Sequence, residues 1–386
     1  MGNNIPTPLY PEYQQRFGFS TGVLTVIFAV AAAGVLPSLL LIGPLSDRLG
    51  RRPILLFALA MVVLSTVCFL LADSLDWLLV ARFIAGVGIG ALAGTAGAAL
   101  AELAPNGDHA RAALVSSATT VTGQAVGPLL AGILTAYAPL PLRLVFWVDL
   151  GLIALAVAGV LIAPETVDRS AARRTARRGP RVGVPPAARS AFLLASLAAL
   201  AAFGVLGLIS ALGPTLIVRL LHVHNRAVGG LVVFGLLGTS ALVQILGRGL
   251  PVRITLFSGC GAIALGMGLV VLAQPADSLV VFATGIVIAG AGQGLTYLSG
   301  QQLIDSVATP ELRGQIFSTY FIVLYLSVAV AALGVGFGAD WVGFYPATCI
   351  VAGAIALAAA ATVCGGILRL RRKSAARSNP TASPRA

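Results

Sequence analysis

Long apolar runs, broken by short polar joins that carry arginine, recur along the whole chain. A membrane-spanning helix takes about 20 apolar residues. Eleven runs reach that length: 20–42, 53–72, 77–103, 111–137, 143–163, 190–218, 226–247, 252–272, 278–304, 312–338 and 343–368. They are too long for strands, and the pattern predicts an all-α, polytopic membrane protein. Two polar stretches interrupt the series. Residues 164–189, with seven Arg and three Pro between 165 and 189, read as a linker, and 369–386 read as a tail, disordered from 374 onward. The expected organisation is a bundle of five spans over 1–163, the linker, a bundle of six spans over 190–368, and the tail.

Composition removes the soluble alternatives. Only 10% of the residues are charged and 58% are hydrophobic, with a mean hydropathy of +0.96. Soluble domains run near 25% charged, so there is too little charge here to coat a water-facing surface. The net charge of +12 suggests a nucleic-acid partner until its placement is considered. Of the 25 basic residues, 20 flank the spans on one side, 4 on the other, and Arg82 lies inside a span. That asymmetry is the positive-inside pattern. It predicts a multi-pass protein of the plasma (cytoplasmic) membrane, with the carboxy terminus in the cytoplasm and Met1 outside. The lipid bilayer is then the partner, and no nucleic acid is implied. Residues 1–19 lack the pattern of a cleavable signal peptide. Cys68, Cys260, Cys349 and Cys364 form no cluster with each other or with histidine, so no metal and no cofactor is expected. No Walker loop or hydrolase motif is present, and the expectation is a protein that is not an enzyme.

Sliding the chain by about 205 residues superposes Gly86, Gly88 and Gly90 on Gly290, Gly292 and Gly294, and brings Pro105 near Pro310. Internal repeats of this kind are common in transporters. The repeat gives the first span of the second half no counterpart in the first half. Pro8-Leu9-Tyr10-Pro11 then reads as the outer exit of a helix upstream of Met1, and the eleven runs number second to twelfth.

The loop Gly43-Pro-Leu-Ser-Asp-Arg-Leu-Gly-Arg-Arg-Pro53 closely resembles the signature cytoplasmic loop of the major facilitator superfamily. The stretch around Arg82 is similar to that family's fourth-span pattern. Gly123-Gln-Ala-Val-Gly-Pro-Leu-Leu-Ala-Gly132 is similar to the fifth-span motif of its drug:proton antiporters, with Ala131 in place of one glycine. Pro164-Glu165-Thr166 fits the sixth-span exit. The resemblance runs from residue 8 to about 370 and implies the major facilitator fold, two pseudo-symmetric helical bundles around a central cavity. It implies a conformational gate at Gly43, Asp47, Arg48, Gly50, Arg51 and Arg52. In that gate Asp47 would face the positive dipole end of the eleventh span at Thr309-Pro310-Glu311; the arginines serve equally well as topology anchors. Arg82 becomes a coupling candidate, with snorkelling toward the outer interface as the plainer reading. Gly123, Gly127, Pro128 and Gly132 become a hinge motif, with ordinary close packing of small residues as the alternative.

Polar side chains step along two spans at helical spacing, Ser116, Thr120 and Gln124 in one and Gln293, Tyr297 and Gln301 in the other. Residues four apart share a helix face. These six are the substrate-cavity candidates, and hydrogen bonds between helices are the competing reading. Asp149, about six residues into its span, is either a proton carrier or an interfacial polar residue. Glu102 and Asp305 end their spans and are expected to pair with nearby Arg. The resulting expectation is a secondary active transporter working by alternating access. It would act as a monomer, driving efflux of a small amphiphilic or drug-like substrate with protons. The alternatives are a proton-coupled importer of a sugar or other small metabolite, and a truncated product that does not transport.

Overall fold

The structure is a computed structural model that describes residues 4–103, 109–140, 142–166, 183–221, 225–308 and 312–378. Each apolar run becomes one helix. A short helix α1 (Tyr10–Phe17) precedes α2 (Thr21–Leu49), α3 (Arg51–Leu70), α4 (Leu75–Glu102), α5 (His109–Tyr137) and α6 (Leu144–Ile162). The second set is α7 (Arg189–Leu221), α8 (Arg226–Leu246), α9 (Val252–Ala273), α10 (Leu279–Asp305), α11 (Arg313–Val342) and α12 (Phe344–Ser378). Among the described residues, ten helices are long and apolar enough to cross a membrane; α5, richer in hydroxyls, is the eleventh of the series.

Local chemistry sets the helix ends. Ser20, Asn225 and Ser278 cap α2, α8 and α10, each accepting from a backbone N–H of the first turn. Gly18 ends α1 in the left-handed conformation at φ 66°. The signature segment is more helical than its polarity suggests. It was expected to be a loop over 43–52, yet α2 continues through Leu49, α3 begins at Arg51, and Gly50 alone turns the chain at φ 105°. Polar residues mark the water boundary without stopping a helix; Gly43 stays within α2, and it is Gly50 that takes up the positive-φ backbone that turns the chain. The tail is corrected for a related reason. The helix runs through Ser378 because Arg, Lys and Ala are good helix formers, and the first strong breaker is Pro380.

The 205-residue repeat is visible in backbone contacts. A Cβ on Gly86 would overlap the carbonyl oxygen of Ala31, and one on Gly290 would overlap that of Leu236. One on Gly90 would sit 2.6 Å from Val35 O, and one on Gly294 2.5 Å from Ser240 O. One on Gly88 would lie 2.9 Å from Ala58 O, and one on Gly292 2.8 Å from Gly259 O. The repeated glycines thus let α4 lie against α2 and α3, and α10 against α8 and α9, backbone to backbone. Glycine frees that approach in a bilayer, where helices associate by close packing. α6 and α12 are the least buried of the candidate spans and α7 the most.

Candidate functional site

Arg82 is 2% exposed and lies in an aromatic clamp, so snorkelling is overturned. Its Nε donates to the hydroxyl of Tyr10, and its guanidinium carbon stands 5.3 Å from the Tyr10 ring centroid and 5.1 Å from that of Phe28. The two rings are themselves 5.1 Å apart, tilted at 59°. The residue bonded at Nε is a phenol. A guanidinium over aromatic faces gains cation–π energy that rises when water is excluded. Asp149 is buried too, 3% exposed, and accepts a 3.0 Å bond from Thr66 Oγ1 of α3. It lies on α6 facing α3, and the rings of Phe69 and Phe146 stack between the same two helices.

At the arginine-rich end, the signature segment is knotted to two other helices. Arg51 Nη2 pairs with Glu102 Oε1 at 2.9 Å, and Nη1 donates to Ser46 Oγ at 2.6 Å. Thr166 Oγ1 also donates to Glu102. Glu165 accepts from the backbone N–H of Arg51 at 2.8 Å and of Arg52 at 3.2 Å. A carboxylate on the first N–H groups of α3 satisfies donors that have no partner in the helix and complements its dipole. A Cβ on Gly50 would come within 2.8 Å of the Glu165 carboxyl carbon, so the turn glycine also makes room for this cap. Arg48 is exposed. The side chain of Asp47 and residues 309–311, on which the expected latch depends, lie outside the described residues, as do the surroundings of Gly43.

The opposite end holds a seam between the two sets of helices that the sequence did not reveal. Asp340, near the end of α11, accepts from Ser20 Oγ at 2.8 Å and from Gly22 N at 2.9 Å, so it caps α2 from across the molecule. Close by, a Cβ on Gly336 would lie 2.7 Å from Thr25 Cβ. On the other flank α5 meets α8. A Cβ on Gly132 would sit 3.0 Å from Gly230 Cα, and one on Gly230 would overlap the carbonyl oxygen of Pro128. Arg226 pairs with Glu12 at 2.5 Å and donates to Thr135 O at 3.2 Å, and Asn225 donates to Tyr137 OH at 3.0 Å. The Gly123–Gly132 motif therefore presents its far end, Pro128 and Gly132, to Gly230 of α8. Ala125 packs lower down against Val233 and Leu237.

The seam yields a direct expectation. Asp340→Ala removes the acceptor shared by Ser20 and Gly22. A hydrogen bond to a charged group is worth about 1.5–3 kcal/mol when protected. Exposure lowers that to about 1 kcal/mol, near fivefold in an equilibrium. Spin labels at Gln15→Cys and Trp341→Cys should report a separated population about fivefold larger than in the parent. An unchanged distance distribution would show that this carboxylate does not hold α2 to α11.

The cavity candidates divide. Gln293 is 4% exposed and accepts from Ser240 Oγ, which also accepts from Gln244 at 2.9 Å. It therefore joins α10 to α8 inside the second set, the helix-to-helix reading. Tyr297 and Gln301 are half-buried and joined by a 2.9 Å bond, with Phe203 of α7 edge-on to Tyr297 at 5.2 Å. On α5, Ser116, Gly123 and Gln124 are half-buried, Gly127 is buried, and Thr119, Thr120 and Thr122 are exposed. Thr119 and Thr120 bond back to carbonyls of their own helix at 2.7 Å, which spares them a partner elsewhere. The sequence reading passed over Tyr10, Glu12, Arg226 and Asp340. Their only signal was unremarkable polarity at span ends.

Long antiparallel helices in two repeated sets, with buried charges inside and a polar seam between the sets, define a helical membrane protein of the two-bundle transporter type. The chain belongs to the Major Facilitator Superfamily, which it matches over residues 1–332. It is similar to the multidrug resistance protein MdtL of Shewanella oneidensis, 27% identical over 161 residues, 42% of this chain and 40% of that protein. It is also similar to the multidrug resistance protein MdtM of Salmonella typhimurium, 34% identical over 137 residues, 34% of this chain and 32% of that one. The aligned stretches thus span well under half the length of these relatives. The solved structure of the human organic anion transporter MFSD10 (TETRAN) superposes with a TM-score of 0.62 at 20% identity, covering 88% of this chain and 83% of that one, a likeness of fold.

Proposed function

We propose that the protein is a proton-coupled exporter of small amphiphilic or drug-like compounds that works by alternating access as a monomer. The observation that carries this reading is an asymmetry along the seam. The arginine-poor end is joined across the two helix sets by Asp340, Arg226 and backbone contact at Gly230, while the hydroxyl-bearing half of α5 toward the other end is uncovered. Such an arrangement corresponds to one half of a rocking cycle, closed outside and open to the cytoplasm, with the arginine-rich end inside. Residues 1–163 and 190–368 are the rocking bodies. Thr120 is exposed and Ser116, Gln124, Tyr297 and Gln301 are half-buried, and all five are uncharged and hydrogen-bonding. They suit an amphiphilic substrate better than a multiply charged one. Similarity to multidrug resistance proteins supports export. Protons are the proposed driving ion, with Arg82 and Asp149 as the buried ionisable groups near the pathway. Coupling needs a group whose proton affinity differs between the two states.

The test is accumulation of a hydrophobic dye in a host stripped of its own pumps. Expression should lower dye accumulation, and a protonophore should abolish the effect. Unchanged accumulation together with growth rescued by sugar uptake would establish import instead.

A further inference from the structure

We propose that α1 is a strut tying the buried Arg82 to the closed outer seam, with Tyr10 as the residue that positions the guanidinium. The helix is eight residues long, and two of its side chains, two positions apart, reach in different directions. Tyr10 enters the first helix set, accepts from Arg82 Nε and lays its ring against the guanidinium. Glu12 meets Arg226, the first residue of α8 in the second set. The same arginine donates to Thr135 O on α5, so Glu12 binds where the α5–α8 contact closes.

α1 does not hang loose between these contacts. Ile5, Leu9, Tyr10 and Tyr13 are buried in a cluster with Leu24 and Ile27 of α2 and Leu78 and Ala81 of α4. The cluster also takes in Ala211 of α7, Ala332 and Val335 of α11, and Ala347 of α12. It therefore straddles both sets. Tyr13 stacks on Phe17 at 5.8 Å and 16°, which stiffens the short helix over its second turn. The physical consequence follows from rigidity. When α8 leaves α5, the Glu12–Arg226 pair must break or drag α1 with it. Because the cluster that seats Tyr10 also takes side chains from α7, α11 and α12, separation of the two sets loosens that seat as well, and the phenol that bonds Nε and caps one face of the Arg82 guanidinium loses its fixed place. Arg82 is thus held one way with the outer face closed and another way with it open. The gate position is passed to a buried charge through one turn of helix. This rests on the alternating-access reading above, although its test does not use transport.

Cys68 supplies the readout, since it is buried in the same cluster. In the full chain with Cys260, Cys349 and Cys364 changed to Ser, alkylation of Cys68 by N-ethylmaleimide should be slow. Glu12→Gln should speed it about threefold to fivefold, the range for a partly exposed ion pair. Tyr10→Phe, which keeps the ring and its volume, should speed it about tenfold through loss of a charge-assisted bond. The reversed pair Glu12→Arg with Arg226→Glu should return the rate to within about twofold of the parent. The double variant Tyr10→Phe with Glu12→Gln should be no faster than the quicker single, because one strut is cut at either end. A double variant whose rate is the product of the two singles would overturn the strut. So would a reversed pair that stays as fast as Glu12→Gln. Alkylation needs no substrate, so a chain that moves no dye would leave this assignment standing. A failed strut would likewise leave the dye result standing.

Discussion

Gly230→Val is expected to hold the outer face open and to lower transport at least tenfold while leaving the amount of protein in the membrane near normal. A Cβ at 230 would overlap the Pro128 carbonyl oxygen and stand 3.1 Å from Gly132 Cα. Both obstacles are backbone, and neither can swing away as a side chain would. Two further carbons must push α8 off α5. Overpacking costs about 1–3 kcal/mol in a closed core, which is roughly a fivefold to 150-fold shift away from the closed state. The separation of effects follows from where the contact lies. It joins the two helix sets rather than packing within one, and on the proposed alternating-access cycle it would open and close, so it adds little to the folding of either set. Gly86→Val is the control. Its side chain would strike Ala31 O inside the first set, and the expected result there is less folded protein. Immunoblots of membranes beside dye efflux distinguish the two. Wild-type efflux in Gly230→Val would mean that the closed α5–α8 contact is not visited during transport.

Arg82→Met should abolish coupled transport and leave the melting temperature unchanged or higher. A buried charge is expensive to desolvate, by several kcal/mol even after relaxation, and well-packed apolar replacements are often neutral or stabilising. Methionine follows the aliphatic stem of arginine to about the position of Nε, and its flexible, polarisable thioether suits an aromatic surround. Against that gain stands the loss of the bond to Tyr10 and of the cation–π contacts, about 1–3 kcal/mol together. The expectation rests on the proposed coupling role of Arg82, which a charge kept within a span at a cost to stability supports. Arg82→Lys is the discriminating companion. It keeps the charge but replaces the planar fork by a compact ammonium that cannot cover two rings in the same way. Transport in Arg82→Lys should fall well below wild type, with protonophore sensitivity retained in whatever remains. Full efflux in Arg82→Met would remove Arg82 from the coupling.

How much of this was legible in the sequence differs from residue to residue. The glycine repeat needed no structure. Gly86 and Gly90 align with Gly290 and Gly294 because the same backbone approach is made twice, to Ala31 and Val35 and to Leu236 and Ser240. Glu102 was expected to pair with a nearby arginine, and Arg51 is that residue. Gln293 went the other way. Its spacing put it on one face with Tyr297 and Gln301, but a face of a helix has two edges. The edge bearing Gln293 turns toward Ser240.

The sequence by itself determined what depends on local chemistry and on the solvent. Apolar length and scarcity of charge dictate helices that cross a bilayer, because lipid offers the backbone no water and each span must satisfy its N–H and C=O groups within itself. The distribution of arginines and the caps at Ser20, Asn225 and Ser278 follow in the same way from residues close together in the chain. Only the tertiary structure decided which distant residues meet. Asp340 reaches Gly22, Glu12 reaches Arg226 and Tyr10 reaches Arg82 across separations that no periodicity encodes. A helix face fixes direction within a few residues, whereas these contacts depend on how whole helices rotate and slide against one another. That is settled by the sum of many small packing contacts, the glycine approaches foremost, and not by any one motif.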